Sequence, residues 1–161
     1  KIEAVRQAFA RWLDVPEVWN PHTRETADHS LPCTVAMALL DGTITPAMME
    51  NARYKDADVL ALMKRCTIEL PDEFAAIAPA VRSCRLTATL KNGKTVTVTR
   101  QRSLADDVAD PGWNYAIEKF NALAADRMDT TAREKLIAAV DAIESASSVG
   151  ELIASTRIAM I

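Results

Sequence analysis

Six residues in one short stretch carry the most reactive chemistry in this chain: Arg24, Glu25, Asp28, His29, Ser30 and Cys33. They set a guanidinium, two carboxylates, an imidazole and a hydroxyl directly before an apolar run, Leu31 to Leu40, and a thiol in its first turn. An imidazole changes charge near neutral pH, so His29 is the candidate acid or base. Arg24 and Glu25 read as positioning groups, since a guanidinium clamps a carboxylate through two hydrogen bonds. A surface ion pair is the plainer alternative for both. Asp28 adjoins His29, but neighbours in extended chain point to opposite sides, so a structural salt bridge suits it as well as a substrate contact. Cys33 lies four residues beyond His29, where a helix N-terminus would lower its thiol pKa. No third group is evident to orient a Cys–His pair, which argues against a nucleophilic thiol.

These groups need a scaffold, and the sequence supplies one. Ser30 fits an N-cap, Pro32 sits in the first turn where its missing N–H costs nothing, and Asp41-Gly42 closes the helix. Residues 24 to 30 then form a loop that brings Glu25, Asp28 and His29 to the positive end of a buried helix, a place that stabilises anions. Upstream, Val5, Phe9, Trp12 and Leu13 share one face at helical spacing and predict a helix over 3–14. Pro16 and Pro21 impose an extended approach from Val15 to Thr23.

Downstream, Thr45-Pro46 opens a short helix, and 57–64 forms a second with Val59, Leu60 and Met63 inward. A short strand is expected over 66–70 and a weakly defined connection over 73–80. Asn92-Gly93 between 83–90 and 95–100 is a hairpin signal. Its alternation predicts Leu86, Ala88 and Leu90 on a buried face and Arg85, Thr87 and Thr89 on a wet one. A polar, acidic loop is expected over 102–112. Helices follow over 115–125, with Ile117, Phe120 and Leu123 inward, and over 130–145, with Thr131 and Glu134 as a capping box. A last short helix spans 147–156, with Ser148 and Glu151 as a second box. The fold class is α+β, with helices packed on a small antiparallel sheet that contains the hairpin near 84–100.

Composition narrows the function. The 161 residues are most simply a single domain, with 49% hydrophobic and 25% charged residues and a net charge of −3. No basic stripe is present, which excludes nucleic acid as the natural partner. The apolar run 31–40 is too short to span a bilayer. Glu3 and Arg6 interrupt any signal-peptide pattern. Cys33, Cys66 and Cys84 are widely spaced and, with His22 and His29, give no zinc pattern, so no metal is expected. Three free thiols suit a reducing, cytoplasmic setting. Asp106, Asp107 and Asp110 lack the spacing and closing Glu of a calcium loop. The methionines and Trp113 read as packing residues.

The block Glu25-Thr26-Ala27-Asp28-His29-Ser30-Leu31-Pro32, the small-residue helix ending in Leu39-Leu40-Asp41-Gly42, and the 90–94 turn resemble the MmgE/PrpD family, which includes 2-methylcitrate dehydratase. The resemblance covers about residues 15 to 125. It implies the C-terminal (lid) domain of a cofactor-independent lyase that abstracts a proton next to a carboxylate of a small di- or tricarboxylate. His29 is then catalytic, with Arg24, Glu25, Asp28, Ser30 and Cys33 on the substrate side of the cleft. Relatives carry an aromatic, often Tyr, where this chain has Cys33, so that contact is in doubt. The helical N-terminal domain that precedes this part in relatives is absent here, and the sequence starts at Lys1 rather than Met, as a piece of a longer chain would. The isolated chain is therefore expected to be inactive, needing the helical domain from the same or a separate chain and pairing as a homodimer. A related isomerase or decarboxylase, or a non-catalytic interaction module, is the alternative.

Overall fold

The computed structural model describes residues 1–6, 10 and 13–156, apart from the side chains of Asp107 and Val108. The chain divides into two compact units, Lys1–Val108 and Ala109–Ile161.

The first unit is α+β. It opens on a strand, β1 (Ile2–Glu3), where a helix over 3–14 was expected. Pairing on both sides overrides local helix propensity there: β1 runs parallel to β2 (Ile68–Glu69) and antiparallel to β3 (Val81–Thr89). Phe9 and Trp12 of the expected helix lie outside the described residues. With β4 (Thr95–Ser103) the sheet order is β2-β1-β3-β4, so one of its three pairings is parallel. The approach over 15–23 is not fully extended either. Pro16 takes the first helical position of α1 (Pro16–Trp19), where its fixed φ favours a turn.

Three helices then build the core. They are α2 (Arg24–Asp28), α3 (Leu31–Asp41) and α4 (Pro46–Glu50). A 3₁₀ turn (Arg53–Lys55) leads into α5 (Ala57–Met63). Cys33, Ala36, Met37, Val59 and Met63 pack with Ala27, Met49 and Tyr54 into one buried cluster. Gly42 ends α3 in the left-handed region, at φ +76°, as a C-terminal glycine should. Arg53 then ties the helices together. Its guanidinium meets Asp41 at 3.0 Å through two nitrogens, Asp58 at 2.6 and 2.8 Å, and Asp56 at 3.0 Å.

The segment expected to be a loose connection, 73–80, contains a helix, α6 (Asp72–Ile77). It changes which face of the hairpin is covered. Arg85 sits 5.0 Å from the Phe74 ring centroid and forms ion pairs with Glu73 at 2.7 Å and with buried Glu3 at 3.0 Å. The expected aliphatic-in pattern is thus not realised. Val96 and Val98, opposite Ala88 and Leu86, are 41% and 44% exposed, and Leu90 is exposed at the turn. Within the turn only Gly93 has positive φ, at +81°, and its N–H donates to the Leu90 carbonyl at 2.9 Å. Lys91 and Asn92 therefore make an ordinary turn, and Gly93 supplies the left-handed residue after it. A short helix, α7 (Leu104–Val108), starts within the expected acidic loop, where Ser103 and Asp106 cap each other.

The second unit holds α8 (Trp113–Ala124), α9 (Thr130–Asp141) and α10 (Gly150–Ser155). Asp129, one residue outside α9, accepts from the Ala132 N–H at 2.8 Å and replaces the expected Thr131–Glu134 box. The Ser148–Glu151 box does not form either: Ser148 Oγ accepts from the Gly150 N–H instead. Phe120, Leu136, Ile137 and Leu152 line an apolar groove of about 350 Å³. Leu123, expected inward, is more than half exposed. No described helix is long and apolar enough to cross a membrane.

Candidate functional site

Of the residues singled out in the sequence, Arg24, Glu25 and Asp28 lie on the short helix α2 rather than on a loop, and His29 caps its end. Thr23 caps α2: its Oγ1 accepts from the Thr26 N–H at 3.2 Å, and Thr26 Oγ1 accepts from the Thr23 N–H at 3.0 Å. Threonine stands where a capping box usually carries Glu or Gln, a pattern easy to miss in sequence. The single turn sets Arg24 beside Asp28, four residues on, with Nε 3.6 Å from Oδ2. The same guanidinium lies 3.9 Å from Glu50. Both separations exceed a good hydrogen bond, so Arg24 is loosely held at the surface.

His29 closes this turn. Its Nδ1 lies 2.9 Å from the Glu25 carbonyl oxygen and 3.7 Å from the Glu25 carboxylate. A carbonyl only accepts, so the bond keeps the proton on Nδ1 and leaves Nε2 as the acceptor nitrogen of the neutral ring. The side chain is 59% exposed.

Ser30 and Cys33 are placed differently. Both are fully buried. Ser30 Oγ accepts from the Cys33 N–H at 3.2 Å and donates to the Val18 carbonyl, so the hydroxyl serves as N-cap of α3 and as a tie to α1. The Cys33 thiol contacts Met37 Sδ at 3.9 Å inside the core. Burial first, and the Asp28 charge second, push its pKa up to about 11. The expectation of a lowered pKa is thus corrected: desolvation of the thiolate outweighs the helix terminus. The structure brings Arg24, Glu25, Asp28 and His29 together on the surface of one turn and keeps Ser30 and Cys33 beneath it.

A second feature went unnoticed in the sequence. A groove of about 940 Å³ is walled by Val5, Leu31 and Pro79 and edged by Arg82, Arg100 and Arg102. Leu31, two residues past His29, belongs to its wall. The signal was present in the hairpin: pairing the strands about the Asn92-Gly93 turn puts Arg82 opposite Arg102. Among the described residues, no group of three or more His, Cys, Asp or Glu side chains is placed to share a metal ion.

None of the curated proteins compared matches the chain. The family model of the MmgE/PrpD C-terminal domain does, over residues 4–145. That model describes one part of the family's architecture, which implies a further domain. With most of its length matched, the chain belongs to the MmgE/PrpD family through its C-terminal domain.

Proposed function

We propose that this domain completes a cofactor-independent lyase acting on small di- or tricarboxylates such as 2-methylcitrate, in a cytoplasmic, two-domain protein. The observation that carries the reading is the state of His29. Its ring is exposed, oriented by a backbone bond at Nδ1, and its second nitrogen is the one suited to proton exchange. In a dehydration the C–H bond next to a carboxylate breaks and a base takes the proton. The adjacent C–OH bond then breaks, and the hydroxyl leaves as water once an acid protonates it. His29 fills one of these two roles, and the remaining acid–base groups come from the other domain. Arg24, loosely paired and at the surface, can turn from Asp28 to a substrate carboxylate, with Glu25 holding the imidazole in place. Family membership supports the substrate class; the exposed turn supports the role of His29.

The test uses the two-domain enzyme. His29→Gln is expected to lower turnover by ~10²–10⁴ with folding intact, the usual worth of a positioned proton-transfer group. Wild-type turnover in that variant would leave His29 as a helix-ending residue. Product analysis separates the alternatives, since water loss, CO₂ release and isomerisation leave different acids.

A further inference from the structure

The tip of the hairpin holds a reactive pair that the fold leaves open to water. Asn92 and Gly93 are both exposed, and a Cβ built on Gly93 would meet nothing within 4 Å. The Lys94 N–H donates to Asn92 Oδ1 at 3.0 Å, and the Gly93 N–H donates to the Leu90 carbonyl at 2.9 Å. The first bond polarises the side-chain amide and makes its carbon, Cγ, a better electrophile. The second must open before the Gly93 nitrogen can turn to that carbon. It lies at the end of the strand ladder, where local opening costs little. Gly93, with no side chain, then turns without steric hindrance. Lys91 and Lys94 flank the pair, and their charges favour the anions through which an attack by that nitrogen passes.

We propose that Asn92 is a modification site, converting spontaneously to aspartate and isoaspartate in the folded protein. The Gly93 nitrogen gives up its proton and attacks Asn92 Cγ. A new C–N bond forms, the bond from Cγ to the amide nitrogen breaks, and ammonia leaves with the proton. Water, the only co-reactant, then opens the cyclic imide. Cleavage at Cγ gives aspartate on the original main chain. Cleavage at the Asn92 main-chain carbonyl gives isoaspartate, which lengthens the main chain of the turn by one methylene. Either product makes the net charge of −3 one unit more negative. The fold singles out this site. Asn20 precedes Pro21, which has no N–H to give, and Asn114 and Asn121 lie within α8, where the helix fixes the following nitrogen. Asp41-Gly42 could form the same imide, but Arg53 holds both oxygens of that carboxylate at 3.0 Å. The proposal does not rest on the reading of His29.

The test incubates the full chain at body temperature and mildly alkaline pH, and follows it by ion exchange and by peptide mapping in a mass spectrometer. Two more acidic products are expected, both mapping to Asn92, and one should co-elute with the Asn92→Asp variant. Conversion at Asn92 should outpace that at every other asparagine by about tenfold or more, a modest difference in barrier. The rate should rise with pH, because the attacking nitrogen must lose its proton. Gly93→Ala should slow conversion about tenfold, since a Cβ hinders the approach of that nitrogen. Asn92→Gln, whose ring closure is less favourable, should remove both products, and its dispersed NMR spectrum reports folding. The chain unfolded in urea serves as the reference for an unrestrained turn. Conversion at Asn92 in urea but not in the folded chain overturns the proposal. So does conversion at Asn51 as fast as at Asn92.

Discussion

Helix α3 and the β3–β4 hairpin both close on a glycine in the left-handed region, at φ +76° and +81°. Around α3 the polar side chains turn inward to other protein atoms. Ser30 serves two partners, Thr34 Oγ1 returns to the Ser30 and Leu31 carbonyls at 3.1 Å, and Asp41 locks onto Arg53. The hairpin is held mainly by its backbone ladder and its turn, while Val96 and Val98 face solvent. One region uses its side chains to define itself. The other relies more on main chain: Arg85 is held on its covered face, while Val96 and Val98 on the opposite face are left half in water.

That contrast can be broken most forcefully at Ser30. Ser30→Ala removes a helix cap and strands the Val18 carbonyl in the interior, for a combined loss of ~2–4 kcal/mol in urea unfolding. A loss under ~0.5 kcal/mol, the level of an ordinary surface change, would erase the difference between the regions. At the hairpin the sensitive point is main chain. Gly93→Val should cost ~1–3 kcal/mol through backbone strain alone, since a Cβ there meets nothing within 4 Å. Gly93→Asn should cost less, because asparagine tolerates this region. An unchanged melting temperature for the valine variant would refute the strained turn.

Acid sharpens the helical side. Arg53 holds the Asp58 carboxyl at about 2, below its ordinary 3.8, mainly through direct hydrogen bonds. A depressed carboxylate contributes stability above its unfolded pKa and loses it as pH falls through the folded one. The melting temperature should therefore decline between about pH 4 and 2, and Arg53→Gln should flatten that part of the profile. Salt should weaken the effect, as Asp58 is largely exposed. The smallest response is expected at Val98→Thr, within ~0.5 kcal/mol of wild type, because the residue is half in water already. A larger loss would show that the outer face is packed in solution.

Much of the helical region was legible because its signals are local. Ser30, Pro32 and Gly42 mark α3, and Thr45-Pro46 marks α4, each through a cap that acts within one turn. The misreadings have a common cause in distant partners. Ile2 and Glu3 become strand because Ile68 and Leu86 flank them. Arg85 turns to the covered side because Glu3, Glu73 and Phe74 meet it there, pairs up to 82 residues away. The site divides the same way. Exposure of His29 follows from its place just outside a cap, which sequence can indicate. Burial of Cys33 depends on how α3 sits within the helical core, which no spacing reveals. The pairing of Arg82 with Arg102 needed only the hairpin register and was within reach of the sequence, whereas the groove's Val5, Leu31 and Pro79 come from distant elements.

Strand β4 stands at the edge of its sheet, and Thr95-Val96-Thr97-Val98-Thr99 is an uncharged, wholly β-branched run without proline or glycine. Such a run at an open edge is a template for a strand from another molecule, the first step toward fibrils. Lys94 guards one end of it and Arg100 the other, with Arg102 just beyond. Like charges at these positions oppose the pairing of one such edge with another, so neutralising Arg100 and Arg102 should raise the tendency of this strand to aggregate.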